Sequence, residues 1–297
     1  MAANLTTIDN AFCYPGSPAP ADGAPTALVL LNCEGEAAPR LSPLLRCLWR
    51  AADVRLCADG AASRLFHGLV SGALAYAAPG AAPLGGEADA RALAALRAFL
   101  PDEVVGDWDS IDARAEAFYR GAGVAMHAQP EDQDSTDLEK CLARLVARQA
   151  AAATAAAAAP PRMRVIVAGS FGGRLDHTVQ NLNCLYKWSH CFGALVMVTE
   201  HSAARLLPAG ASEVRVAAPF EGPTCGLLPL AGATELTTQG LQWDVSAALS
   251  EFGGMVSTSN CALGAAVSVR ASRPTIWTVN INPAAFAAAA AALPATA

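Results

Sequence analysis

Five short apolar runs, each breaking into polar or glycine-containing residues, constrain this chain more than any other feature. They are Ala27–Leu31 ending at Asn32, Val54–Ala58 ending at Asp59-Gly60, Asp102–Gly106 entering an acidic turn, Arg164–Ala168 before a glycine-rich turn, and Ala194–Thr199. Short continuous apolar runs suit strands buried on both faces. Helical patterns lie between them. Leu44–Trp49 reads as helix, and Leu138, Cys141, Leu142, Leu145 and Val146 repeat at the spacing of an amphipathic helix. Strands alternating with helices predict a parallel α/β sheet. Polar residues recurring at the strand ends predict a ligand site there, because open α/β sheets bind along that edge.

From about Leu207 the pattern changes. Segments 213–217, 224–229, 233–237, 254–258, 265–269 and 275–280 are short, often alternate, and are separated by Gly, Pro or Asn. They predict an all-β domain, a sandwich or barrel. The expected organisation is a loose N-terminal extension (1–24), an α/β domain (25–206) and a β domain (207–297). Residues 71–90, rich in Ala, Gly and Pro, read as an insertion or loop. The alanine tracts 151–159 and 284–292 read as helical or low-complexity segments.

The composition is 53% hydrophobic, but much of that is alanine. No run of about 18 strongly apolar residues predicts a transmembrane helix. A formal net charge of −6 argues against a nucleic-acid partner. Nine irregularly spaced cysteines without a Cys-x-x-Cys pair fit reduced thiols in a cytoplasmic protein. Met1–Pro20 lacks the pattern of a signal peptide and the arginines of a transit peptide.

Four constellations carry chemistry. In Gly106-Asp107-Trp108-Asp109-Ser110, two carboxylates two residues apart point the same way if the strand continues. Hard oxygens so placed suit magnesium; the plainer reading is an acidic surface turn. In Gln133-Asp134-Ser135-Thr136-Asp137, Asp134 and Asp137 are spaced like a helix N-cap and its third residue. A helix start there offers N–H groups to phosphate, and Asp137 can also face a metal. In Gly169-Ser170-Phe171-Gly172-Gly173-Arg174-Leu175-Asp176-His177, glycines allow close backbone approach to a phosphate and Arg174 can pair with it bidentately. The turn is neither a Walker A loop nor a dinucleotide fingerprint. Its plainer reading is a tight turn with Arg174 and Asp176 as a surface pair, and His177 as a core or supporting histidine. In the β region, Gly240-Leu241-Gln242-Trp243-Asp244 and Val256-Ser257-Thr258-Ser259-Asn260 offer a ring for a cationic heterocycle and polar groups for its nitrogens. From chemistry alone, a core Trp243 and a Ser-Thr-Ser-Asn turn are the better expectation.

Together with Ala58-Asp59-Gly60 and the tail Pro274-Thr275-Ile276-Trp277-Thr278, these blocks resemble the eukaryotic-type thiamine pyrophosphokinase family, in family order over roughly residues 27–280. The resemblance implies a Rossmann-like α/β domain, a C-terminal β domain, and a homodimer with active sites between subunits. It implies diphosphate transfer from ATP to the thiamine hydroxyl with Mg2+. Asp107, Asp109 and Asp137 would gather the metal and the phosphates. Asp59, Gln133, Thr136, Gly172, Gly173, Arg174 and Asp176 would line the nucleotide and catalytic region. Trp243, Ser259 and Asn260 would bind thiamine from the partner subunit. The chain departs from the family at Ala61 and Ser63, where a second glycine and an asparagine are usual. Two rival readings remain at this point. An Asp-x-Asp turn also serves metal-dependent nucleotide-sugar glycosyltransferases, and the departures fit a non-catalytic thiamine- or nucleotide-binding module.

Overall fold

The computed structural model describes residues 5–17, 22–32, 42–73, 94, 96–155 and 160–293. Among these the chain opens with β1 (Leu5–Asp9). It continues through β2 (Thr26–Leu30), α1 (Pro43–Ala51), β3 (Val54–Ala58), α2 (Asp59–Ala73), β4 (Glu103–Gly106), α3 (Ala113–Gly121) and β5 (Ala125–Ala128). Next come α4 (Asp137–Ala155), β6 (Arg164–Ala168), α5 (Leu175–Trp188) and β7 (Ala194–Val198). The remainder is β8 (Ser202–Leu207), β9 (Gly210–Arg215), β10 (Glu221–Leu228), β11 (Thr234–Gln239), β12 (Ala248–Ser250), β13 (Ser257–Cys261), β14 (Ala266–Ala271), β15 (Thr275–Ile281) and α6 (Pro283–Ala292).

Strands β7-β6-β2-β3-β4-β5 form a parallel sheet. Its apolar runs are buried on both sides, as their lack of alternation requires. Leu28, Cys57, Val104, Ile166 and Val196 share a core with Leu48 of α1, Leu65 of α2 and Tyr119 of α3. Val29, Leu56, Val105, Val167 and Met197 share another with Leu142 of α4 and Leu185 of α5. Burying each such side chain stabilises the fold by about 1.5–3 kcal/mol. Helix α1 starts where Ser42 Oγ accepts the Leu45 N–H at 3.0 Å, with Pro43 in the first turn.

Helix α2 was not legible as a helix, because three glycines in Asp59–Ala73 weaken its propensity. Yet Ala62, Leu65, Phe66 and Leu69 keep a helical spacing and are buried. Of the loop expected at 71–90, residues 71–73 instead continue α2, and 74–90 lie outside the described residues. Of the alanine tracts, 151–155 extend α4, 156–159 are outside the described residues, and 284–292 form most of α6.

The strand-rich region expected from 207 onward is present, and one sheet joins it to the α/β part. Strand β8 crosses that boundary, pairing antiparallel with β7 on one side and β15 on the other. The larger sheet thus runs to ten strands, ending β15-β10-β13. A second sheet, β1-β9-β14-β11-β12, packs on this antiparallel half. Val214, Leu236, Val267 and Val269 meet Leu227, Trp277 and Val279 in a sandwich core.

Of the expected loose extension, residues 5–14 are held to the fold. Strand β1 pairs parallel with β9 from Leu5↔Ala211 to Asp9↔Arg215. Its hold is mostly polar, which is why apolar periodicity missed it. Buried Glu221 accepts the Tyr14 hydroxyl at 2.6 Å, the Asn10 amide at 2.9 Å and the Ala217 N–H at 2.9 Å. Tyr14 also stacks on Phe220 and meets Phe286 of α6 edge-on. Glu221→Ala would leave two buried donors and a half-buried one unpaired and is expected to cost about 2–4 kcal/mol in urea denaturation. An unchanged midpoint would show that this carboxylate does not hold the segment.

Candidate active site

Strand β2 is the topological switch point: β3 follows on one side and β6 on the other. Chain segments leaving β2 and β6 therefore diverge, opening a crevice at the strand C-terminal ends. A cleft of about 360 Å³ lies there. Asn32 follows β2, Gly60 follows β3, Asp107 and Asp109 follow β4, and Gly172 and Arg174 follow β6. Thr136 and Asp137, at the start of α4, complete the wall.

Under the cleft, carboxylate oxygens of Asp59, Asp107 and Asp109 all lie within 4.8 Å of one another. Asp59 is fully buried at the first residue of α2. Its Oδ1 accepts the Gly60 N–H at 2.5 Å and its Oδ2 the Trp108 N–H at 2.9 Å. Trp108 pays for that contact with a φ of +71°, a left-handed backbone that costs a non-glycine residue about 1–3 kcal/mol. Its indole N–H donates to Glu116 Oε1 at 2.9 Å, fixing the turn from outside. The Asp109 N–H donates to Asp107 Oδ1 at 3.3 Å, and Ser110 Oγ donates to Asp109 Oδ1 at 2.6 Å.

Asp137 joins this group. Burial, then the charges of Asp59 and Asp107, push its carboxyl up to about 7. Asp59 is raised too, chiefly by burial. Shifts of this sense mark carboxylates crowded together in a desolvated place. Clustered hard oxygens that repel one another are the donor set a small divalent cation needs. The residues thus fit such an ion. Asp59, expected only to line the nucleotide region, stands in the cluster itself.

The start of α4 lies two residues later than the spacing of Asp134 and Asp137 suggested. Thr136 is the cap: its Oγ1 accepts the Glu139 N–H at 3.4 Å, and Glu139 Oε2 accepts the Thr136 N–H at 3.3 Å. Glu139 is buried and also accepts Lys187 Nζ at 2.5 Å and Gln180 Nε2 at 3.1 Å, tying α4 to α5. Lys140, unremarked in the sequence, is 2% exposed. Its Nζ donates to the Ser135 carbonyl at 2.8 Å and lies 3.7 Å from Asp107 Oδ2. Gln133 is elsewhere: it is exposed, and its amide donates to the Pro130 carbonyl at 3.0 Å.

The glycine-rich turn opens α5 as expected. Gly172 has a φ of +115°, a conformation that favours glycine, and its N–H donates to Thr178 Oγ1 at 3.3 Å. Arg174 lines the cleft and pairs with Asp176 through Nη2 at 2.5 Å and Nε at 3.1 Å. Gly173 and Asp176 do not line the cleft; Asp176 reaches it through Arg174. His177 is exposed at the rim and not in the core. Ser63, at the departure from the family pattern, bridges α2 to the acidic turn. Its Oγ donates to the Ser110 carbonyl at 3.2 Å and accepts the Asp112 N–H at 2.9 Å. Ala61 is buried.

Trp243, Ser259 and Asn260 do not line this chain's cleft. Trp243 is 58% exposed, against the expectation of a core ring. Trp243 sits in a turn after β11, and Asn260, which is buried, pins its backbone there. Its Oδ1 accepts the Trp243 N–H at 3.1 Å, and its Nδ2 donates to the Trp243 carbonyl at 2.9 Å. Ser257–Cys261 form strand β13, not the expected turn, with Ser259 at a φ of +55°.

The chain was compared with known proteins. Residues 45–196 match the family model "Thiamin pyrophosphokinase, catalytic domain", and residues 211–276 match "Thiamin pyrophosphokinase, vitamin B1 binding domain". The chain is 34% identical to thiamine pyrophosphokinase 1 of Arabidopsis thaliana over 88% of both chains. It is 32% identical to thiamine pyrophosphokinase 1 of Oryza sativa subsp. japonica, over 89% of this chain and 91% of that one. In fold it resembles the crystal structure of yeast thiamin pyrophosphokinase, with a TM-score of 0.73, 23% identity, and coverage of 95% and 93% of the two chains. With both family models matched in order, and relatives above 30% identity along most of its length, the chain belongs to the thiamin pyrophosphokinase family.

Proposed function

We propose that this protein transfers the diphosphate of ATP to the hydroxyl of thiamine, yielding thiamine diphosphate and AMP. The observation that carries the reading is the convergence, at one switch-point cleft, of Asp59, Asp107 and Asp109 with a glycine-rich turn and Arg174. The thiamine oxygen forms a bond to the β-phosphorus, the bond between that phosphorus and the α-bridging oxygen breaks, and AMP leaves with the oxygen. The hydroxyl proton passes to a carboxylate of the cleft. Such a transfer needs in-line positioning and charge balance more than covalent help.

Magnesium is the proposed cation, held by Asp107 and Asp109 with Asp59 and Asp137 beside them. When bound it would draw phosphate oxygens together and offset their charge. The remaining work falls to side chains and backbone. Arg174 balances negative charge on the transferred group. The turn at Gly172 and Gly173 allows close approach of phosphate, and the amino end of α4 at Thr136 and Asp137 favours an anion.

Thiamine binding is proposed at Trp243, Ser259 and Asn260, acting on the cleft of a second copy in a homodimer. An exposed indole on a pinned backbone, outside this chain's own cleft, supports that arrangement. Trp243→Ala is expected to raise the thiamine KM about tenfold or more through lost stacking and cation–π attraction, with the melting temperature unchanged. An unaltered KM would remove Trp243 from the substrate site.

Incubation with ATP and thiamine is expected to release AMP, and omission of thiamine to abolish release. No AMP, with either ligand bound, would favour a binding module. Turnover of UDP-sugars would favour the glycosyltransferase reading, which the family relatives do not support.

A further inference from the structure

Lys140 stands where an ordinary surface lysine of an amphipathic helix would not. It is among the largest fully buried side chains, and burying an ammonium is costly unless its charge is used. Its neighbours are the Ser135 carbonyl at 2.8 Å and Asp107 Oδ2 at 3.7 Å. Among the described residues, Lys140 is the only cation in an ion pair with any of Asp59, Asp107, Asp109 and Asp137. It is not part of the cleft lining, so it acts on the cluster from beneath and not on the incoming phosphates directly.

We infer that Lys140 is a positioning residue, a resident counter-ion of the carboxylate cluster. It holds the four acids together when no divalent ion is present, and it loosens the grip on that ion when one arrives. Both effects have one cause. A fixed positive charge beside Asp107 attracts the carboxylates and repels a second cation sharing the same oxygens. The inference rests on the cation reading of this cluster. Its consequence is that the divalent ion is held weakly by the empty cleft and firmly only once phosphate oxygens complete its shell. An ion so held can arrive and leave with the nucleotide at each turnover.

The sign of the effect separates this role from a structural prop. Removing a prop disorders the acids and weakens metal binding. Removing a counter-ion strengthens it. The test is a titration with Mn2+, in the absence of nucleotide, of the wild type, Lys140→Met, Lys140→Gln and Lys140→Arg. It is followed by paramagnetic resonance of the free ion at about pH 8.5, where carboxylates are ionised. Met and Gln are expected to bind Mn2+ about tenfold more tightly than wild type, and Arg within about threefold of it. In EDTA, Met and Gln are expected to melt below wild type, with saturating Mn2+ raising their melting temperatures more than it raises that of the wild type. The Gln variant keeps a donor near Ser135, so it serves if Met does not fold. Unchanged or weaker Mn2+ binding by a folded Met or Gln variant would overturn the counter-ion role while leaving the cation site standing. No Mn2+ binding by wild type, or binding unaffected by Asp107→Asn, would overturn the cation reading and this inference with it.

Discussion

Asp109→Asn is expected to lower the rate of AMP release about a hundred- to a thousandfold at saturating ATP and thiamine, with far-ultraviolet circular dichroism and melting temperature unchanged. Asp109 is the cleanest member of the cluster to test. It is exposed at the mouth of the acidic turn, and its carboxylate is held locally by Ser110 Oγ at 2.6 Å. Asparagine keeps the shape and one acceptor oxygen while removing the charge. No buried group loses its partner, so stability is spared. The same substitution at Asp107 is less clear, because it strips the ion pair from buried Lys140. For Asp109→Asn the reaction loses one of three carboxylates whose oxygens converge within 4.8 Å. The effect should be strongest at low magnesium and partly relieved as magnesium is raised. Near-normal turnover at all magnesium concentrations would remove Asp109 from the cation site and leave Asp59, Asp107 and Asp137 to form it.

How much of this was legible in the sequence follows from which forces leave a pattern. The parallel strands were legible because burial on both faces demands unbroken apolar runs such as Val165–Ala168. The acidic and glycine-rich turns were legible because they sit at the ends of those runs. Three kinds of feature left no decisive pattern. Strand β8 reads Ser-Ala-Ala-Arg-Leu-Leu, weak in β-branched residues, and is fixed by pairing on both sides. The start of α4 was ambiguous because Asp134/Asp137 and Thr136/Glu139 both satisfy capping spacing, and only the contacts of Glu139 with Lys187 and Gln180 decide. Lys140 was hidden because residues 138–142 of α4 are buried without a break, so its burial departs from the apolar periodicity used to read helices. A charge at i+3 from Asp137 was the one available signal, and spacing alone does not distinguish it from a surface pair.

Gly106→Ala is expected to reduce turnover about a hundredfold and to destabilise the protein by about 1–3 kcal/mol, although it adds a single methyl group. Gly106 closes β4, and an added Cβ would lie 2.6 Å from Asp59 Cγ and 2.8 Å from its Oδ2. A flexible surface side chain would swing aside. Asp59 has no such freedom, because it is fully buried and both its oxygens are taken by the N–H groups of Gly60 and Trp108. The strain must instead move the end of β4 or the start of α2. Either movement separates Asp59 from Asp107, and displacement of a reacting group by about 1 Å costs on the order of a hundredfold in rate. Gly121→Ala is the control. A Cβ there meets nothing within 4 Å, and alanine favours the helix that Gly121 ends, so stability should hold or rise slightly and turnover should be unchanged. A Gly106→Ala protein with wild-type turnover would mean that Asp59 can relax without cost, and that its two backbone contacts do not set the geometry of the carboxylate cluster.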